Sequence, residues 1–178
     1  MNEHLQRSVD TLAGRFEGMV SEHRGQVTVM LTTETLQPAL TALRDELGFD
    51  FLSSLTASDY WPEGKGDARF HLVYQLWSST HQVRLTVRVG VSEALAEGDG
   101  VPSVEGLYPV ANWHEREIFD MFGVRFAGNS DLRRILMPHD WVGHPLRKDY
   151  PLGYEEPQFT FNYEKIQARK HQARYEEA

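Results

Sequence analysis

The 178-residue chain contains no cysteine. That absence removes disulfides, thiol nucleophiles, cysteine-ligated zinc and any iron–sulfur cluster held by the chain's own thiolates. If the protein serves redox chemistry, the cofactors must sit on other chains. Long apolar runs are missing as well. No stretch approaches the roughly 18–20 consecutive apolar residues that cross a bilayer, so no direct membrane span is expected. The opening MNEHLQRSVD has no basic segment leading into an apolar one, and secretion is not expected; the reading is cytoplasmic. A basic excess is lacking too. Net charge is −8, from 18 Lys and Arg against 26 Asp and Glu, and an acidic body disfavours nucleic acid as a partner. No nucleophile elbow, phosphate loop or dinucleotide fingerprint occurs.

What is present fits one ordinary globular domain plus an appendage, with 40% apolar and 25% charged residues. The charge is uneven. Residues 1–111 hold 8 basic and 15 acidic groups, a balance of −7; residues 112–151 balance at zero and 152–178 at −1.

Periodicity assigns the elements. Leu5, Val9, Leu12, Phe16 and Met19/Val20 recur at helical spacing and predict a helix over 3–22, with Gly25 as its terminator. Residues 26–33 alternate as a strand. A second helix runs over 35–47, with Pro38 in its first turn and Gly48 after its end. Strands are predicted over 51–56, 68–78 and 82–89, with a flexible GKGD turn at 64–67 and a short hairpin connection at 78–81. In the last strand Val83, Leu85, Val87 and Val89 share one face, and Gln82, Arg84, Thr86 and Arg88 share the other. Residues 91–110 read as irregular. A helix is predicted over 112–122, with Asn112 as N-cap and Gly123 as its stop. Beyond it, Pro138, Pro145, Pro151 and Pro157 break any period. The expectation is an α+β fold: a two-layer domain with helices packed on a mixed, largely antiparallel sheet, followed by an extended C-terminal arm. The domain is placed at 1–123, and the arm with its polar, mixed-charge tail at 124–178.

The chemistry-bearing residues concentrate in 112–151, where balanced charge meets large aromatics. Cores exclude unpaired charge and solvated faces do not need aromatics at this density, so the segment reads as an assembly surface. Arg116 and Asp120 stand at i, i+4 and can pair, while Phe119 and Phe122 lie on one side. An ordinary amphipathic helix would place those aromatics in the core. The Glu115-Arg116-Glu117 triplet instead demands buried or interfacial pairing. Arg133-Arg134 and Arg147-Lys148 are flanked by Asp131 and Asp149, which suggests salt-bridge networks, the plainer reading being solvated surface pairs. His114-Glu115 opens a helical zinc-protease pattern that fails at Ile118. His139 and His144 flank Trp141 with no helix to align them, leaving a stand-alone metalloenzyme built on His114, His139 or His144 as a distant alternative.

These residues also carry a resemblance. Glu115-Arg116-Glu117, then Asp120-Met121-Phe122-Gly123, then Asp131-Leu132-Arg133-Arg134, then Gly143-His144-Pro145-Leu146-Arg147-Lys148-Asp149-Tyr150-Pro151 resemble the signature of the thirty-kilodalton subunit family of respiratory complex I, the bacterial NADH–quinone oxidoreductase. The match is close over about 110–155. In that family's pattern the glycine corresponding to Gly128 is usually followed by His-Pro, whereas here Asn129-Ser130 follows. The resemblance implies a non-catalytic subunit of the complex's peripheral arm, on the cytoplasmic side of the membrane. It implies no flavin, cluster or quinone bound by this chain, those belonging to partner subunits. It implies as partners the large quinone-site subunit and a cluster-bearing neighbour. Equivalent subunits in ion-pumping relatives fed by ferredoxin, deazaflavin or a hydrogenase are the competing expectation. Glu115, Arg116, Glu117, Asp120, Phe122, Gly123, Asp131, Arg133, Arg134, Gly143, His144, Pro145, Arg147, Lys148 and Asp149 are the expected interface and signature set.

Overall fold

A computed structural model describes residues 2–61, 68–151, 161 and 163–167. In chain order the elements are α1 (Glu3–Phe16), β1 (Met19–His23), β2 (Gln26–Leu31), α2 (Thr33–Asp45), β3 (Phe51–Asp59), β4 (Phe70–Ser78), β5 (Val83–Val91), α3 (Glu93–Glu97), β6 (Val101–Pro102), α4 (Ala111–Phe122), β7 (Phe126–Ala127) and α5 (Tyr163–Gln167). Five strands form a mixed sheet in the order β1-β2-β5-β4-β3, parallel between β2 and β5 and antiparallel elsewhere. Period-two alternation drives it: Phe70, Leu72, Tyr74 and Leu76 on β4, with Val83, Leu85, Val87, Val89 and Val91 on β5, all point to the helix side. There they meet Leu5, Val9 and Leu12 of α1, Leu36, Leu40 and Leu43 of α2, and Ile118 of α4 in one continuous core. Each such side chain contributes about 1.5–3 kcal/mol by leaving water.

Several boundaries differ from the sequence reading, each for a local reason. The first helix stops at Phe16, where Glu17 turns left-handed (φ 55°) and its N–H closes on the Leu12 carbonyl. Residues 19–23, expected as helix, pair as strand with 26–30 across an Arg24-Gly25 turn whose two φ angles are 52° and 78°. Gly25 is thus a hairpin residue and not a helix terminator. Gly18 is needed at the entry, because a Cβ there would lie 2.6 Å from Val29 Cγ1.

Thr32 and Thr33, expected in a strand, begin α2 instead. Thr32 Oγ1 and Thr35 complete a reciprocal capping box. That earlier start leaves Pro38 inside the helix rather than in its first turn. The stretch 91–110 is more ordered than expected, holding α3 and β6, with Ala96, Val101, Val104 and Tyr108 in the core. At α4 the N-cap is Val110, without a side-chain bond, and Asn112 already lies within the helix. The GKGD turn and most of the tail lie outside the described residues; the tail's described part contains the short α5. After Gly123, Val124 and Phe126 enter the core and β7 pairs in parallel with β6. From 128 to 151 the chain runs as turns over the body.

Candidate functional site

Helix α4 directs two acidic side chains inward, and both are fully buried. The Asp120 carboxylate accepts the backbone N–H groups of Ile135 (3.0 Å), Leu136 (2.7 Å) and Met137 (2.8 Å), and Arg134 Nη1 at 2.5 Å. Three consecutive amides converging on one oxygen make an anion nest. Burial alone would raise this group's pKa. The Met137 amide, Arg134 and the two other amides outweigh it and hold the carboxyl below the usual aspartate range. Arg134 Nη2 donates to the carbonyls of Trp141 and Gly143, both at 2.9 Å. The Asp120 carbonyl in turn accepts His144 Nδ1 at 3.0 Å.

A second fastening lies farther along the arm. Asp59, at the end of β3, accepts Arg69 Nε (3.2 Å), Arg69 Nη2 (3.0 Å) and the Lys148 N–H (2.9 Å). Arg69, almost buried, also pairs with Asp149 at 2.6 Å and with Glu93. The arginine between them draws Asp149 below the ordinary carboxylate range; Asp59 is lowered as well, its desolvation being outweighed by Arg69 and the Lys148 amide. Arg147 donates Nε to the Phe122 carbonyl (2.6 Å) and Nη1 to Glu97 (2.7 Å), and the Leu146 N–H reaches the Met121 carbonyl (3.0 Å). Gly123 (φ 74°) permits this approach: a Cβ there would lie 2.5 Å from the His144 ring and 2.7 Å from Arg147 Nη2.

Glu115 is held differently. It accepts Ser103 Oγ (2.7 Å), the Val104 N–H (2.8 Å) and Asn129 Nδ2 (2.8 Å), with no cation among its described partners. Burial therefore prevails and pushes its pKa up. The Tyr74 hydroxyl, wholly buried, has no hydrogen-bond partner among the described residues, and burial followed by the Glu115 charge opposes its ionisation.

The structure thus gathers Asp120, Gly123, Arg134, Gly143, His144 and Arg147 around the end of α4, and Lys148 and Asp149 around Arg69. Phe122 is a core residue. Pro145 is half-buried, Glu117 is exposed, and Lys148 acts through its backbone. Gly143 (φ 82°) lies where a Cβ would meet the Tyr150 ring at 2.8 Å.

The expected Arg116–Asp120 pair is not formed. Asp120 faces the arm's amides, whereas Arg116 lies over Trp113 and reaches the Arg133 and Arg134 carbonyls (3.1 and 3.3 Å) and Asp131 at 3.7 Å. Arg133 and Asp131 pair with each other at the surface. Asn129, at the departure from the family pattern, donates to Glu115, and Ser130 N–H donates to Glu105 (3.1 Å). His114, His139 and His144 do not assemble a centre, for among the described residues no group of three or more His, Cys, Asp or Glu is placed to hold a metal ion. Sequence reasoning missed Asp59, Arg69, Glu93, Glu97 and Ser103. Arg69 and Asp149 stand 80 residues apart, and no local pattern links them.

The comparisons agree with the signature. The family described as respiratory-chain NADH dehydrogenase, 30 Kd subunit, matches residues 29–156. The C subunit of NADH-quinone oxidoreductase from Roseiflexus sp. (strain RS-1) is 49% identical over 152 residues, covering 84% of each chain. The trypsin-resistant fragment (1–134) of Nqo5 superposes with a TM-score of 0.65 at 29% identity, over 72% of this chain and 99% of the fragment. A chain of the membrane-bound sulfane sulfur reductase, an archaeal respiratory membrane complex, shares the fold with a TM-score of 0.68 at 24% identity, over 99% of this chain and 97% of that one. No described helix is long and apolar enough to cross a membrane. With the family match spanning most of its length, the chain belongs to the 30 Kd subunit family of respiratory-chain NADH dehydrogenase.

Proposed function

We propose that this chain is a scaffold subunit in the peripheral arm of a proton-translocating NADH:quinone oxidoreductase, and that it supplies no reacting group itself. Flavin, iron–sulfur clusters and quinone belong to partner subunits, chiefly a large quinone-site subunit and a cluster-bearing neighbour on the cytoplasmic side of the membrane. The observation that carries the reading is the Asp120 nest with Arg134, which fixes the arm along α4. So fixed, the arm turns Leu136 (61% exposed), Val142 (67%) and Leu146 (54%) outward, and α4 itself exposes Trp113 (59%). Large apolar side chains held rigidly in water are suited to covering by a partner. Glu115 holds Asn129, and Arg116 with Asp131 and Arg133 holds the chain just before the nest. The fold alone does not exclude an equivalent subunit of a complex fed by another electron donor, since a chain of the sulfane sulfur reductase complex shares it; the curated relatives named NADH-quinone oxidoreductase favour the first reading.

The test is Arg147→Ala in cells that make the whole complex. Co-purification of the partner subunits is expected to fall several-fold, while the isolated wild-type chain turns over neither NADH nor quinone. Undiminished co-purification from the variant, or turnover by the lone chain, would defeat the proposal.

A further inference from the structure

Helices α1, α2 and α4 all pack on one side of the five-stranded sheet, and no described element covers the other side. With β4 and β5 nine residues long, that open face measures about 30 by 20 Å at the usual strand rise and spacing. This is of the order of the area that one partner contributes to a standard interface.

Its chemistry differs from the rest of the molecule. The protein carries a net −8, yet no described residue directed to this face is acidic. Its cations are Arg84 and Arg88 on β5. The Arg84 guanidinium lies 6.0 Å from the Trp77 ring, and Arg88 donates to the Tyr60 hydroxyl at 3.0 Å. Among the described residues neither forms an ion pair, whereas Arg69, Arg116, Arg133, Arg134 and Arg147 all do. The face also carries two buried polar atoms, Arg88 Nε and His71 Nδ1, that have no hydrogen-bond partner among the described residues. Buried polar groups are nearly always paired, so two unmet atoms beside the arginines set this face apart from the well-satisfied surface around Asp120. Between the arginines and the sheet edges, Met30, Val73 and Trp77 offer half-buried apolar contact, and Phe51 stands 54% exposed at the margin.

We propose that the open face of the sheet docks an acidic segment of a partner subunit, whose Asp or Glu carboxylates pair with Arg84 and Arg88. This is a second surface, sharing no residue with the arm and its fastenings. Two arginines on a strongly acidic protein are too few for a nucleic-acid backbone or an anionic membrane, which reward many cations at once. They suit one or two carboxylates, with the aromatic and thioether groups excluding water around the pairs.

The experiment places a photoreactive benzoylphenylalanine at position 86, between the two arginines, in the complete complex purified from membranes. Cross-linked peptides are then identified by mass spectrometry. The expected product joins position 86 to an Asp/Glu-rich segment of another subunit, and Arg84→Glu with Arg88→Glu lowers its yield about tenfold or more, the change that about 1.4 kcal/mol of lost affinity produces. Arg84→Lys with Arg88→Lys keeps the charge and is expected to keep most of the yield, which separates lost pairing from lost folding. Cross-linking to a basic or uncharged segment, to a second copy of this chain or to its own C-terminal residues would overturn the proposal. So would the absence of any intersubunit product, or a yield indifferent to charge reversal.

Discussion

In the body, Leu40, Leu72, Leu85 and Phe70 are wholly buried, and packing against other apolar groups holds them. In the arm, Leu136, Val142 and Leu146 stand more than half exposed, and what holds the chain is the polar ring around Asp120, Asp59 and Arg69. One region is stabilised by what it hides from water and the other by directional bonds to a few carboxylates. The difference explains how a segment with hardly any core of its own keeps one conformation, because ion pairs and amide bonds fix geometry where dispersion alone would not. It also separates these pairs, each with a buried partner, from ordinary surface ones such as Arg15–Glu46, whose side chains are both about half exposed and screened by water.

The comparison can be broken at either end. Leu72→Ala on β4 is expected to destabilise the whole domain by up to about 5 kcal/mol, read by chemical denaturation, with arm and body unfolding together. Asp120→Asn keeps the side-chain shape but strips the nest of its charge. A cost of about 3 kcal/mol is expected, seen first as faster hydrogen exchange at the Ile135, Leu136 and Met137 amides, with exchange in β4 and β5 little changed. Uniformly faster exchange across the sheet would show that arm and body are not separable.

The smallest effect is a difference of sign with pH. Asp120, Asp59 and Asp149 have lowered folded pKa values, so their contribution is present above the unfolded aspartate value of about 3.9 and is lost as pH falls through the folded values. Glu115 runs the other way. Its folded pKa is raised, so its contribution is complete below the unfolded glutamate value of about 4.3 and is lost as pH rises through the folded value. Acidification below about pH 4 should therefore loosen the arm. Between the two Glu115 values, the stability of Glu115→Gln should gain on the wild type with rising pH, by at most about 1.4 kcal/mol per unit. A constant difference between the two proteins would show that Glu115 is not perturbed.

The sheet and the main helices were legible because each declares itself within a few residues. Alternation at 83–89 needs no knowledge of the partner strand, and the spacing of Leu5, Val9 and Leu12 marks one helix face. The misread stretch 19–23 shows the limit. Met19 and Val20 continue the helical spacing of α1 by coincidence, and only the turn at Arg24-Gly25 and the pairing with β2 reveal a strand. The site was legible by half. Asp120, Arg134 and Arg147 stand out as a charged pattern, but their true partners, and the part played by Asp59 and Arg69, depend on contacts across long stretches of chain. An i, i+4 rule could only offer Arg116 to Asp120, whereas three amides and an arginine from 14 to 17 residues downstream took that place.

The distance in sequence between Arg69 and Asp149 has a temporal meaning. The clasp closes only when the antiparallel β3–β4 pair has already brought Asp59 against Arg69, so the last part of the polypeptide waits on the middle of it. Under the scaffold role proposed above, a newly made copy with an incomplete sheet has nowhere to seat its outer strap, so incorporation into a larger assembly would be reserved for copies that have finished folding.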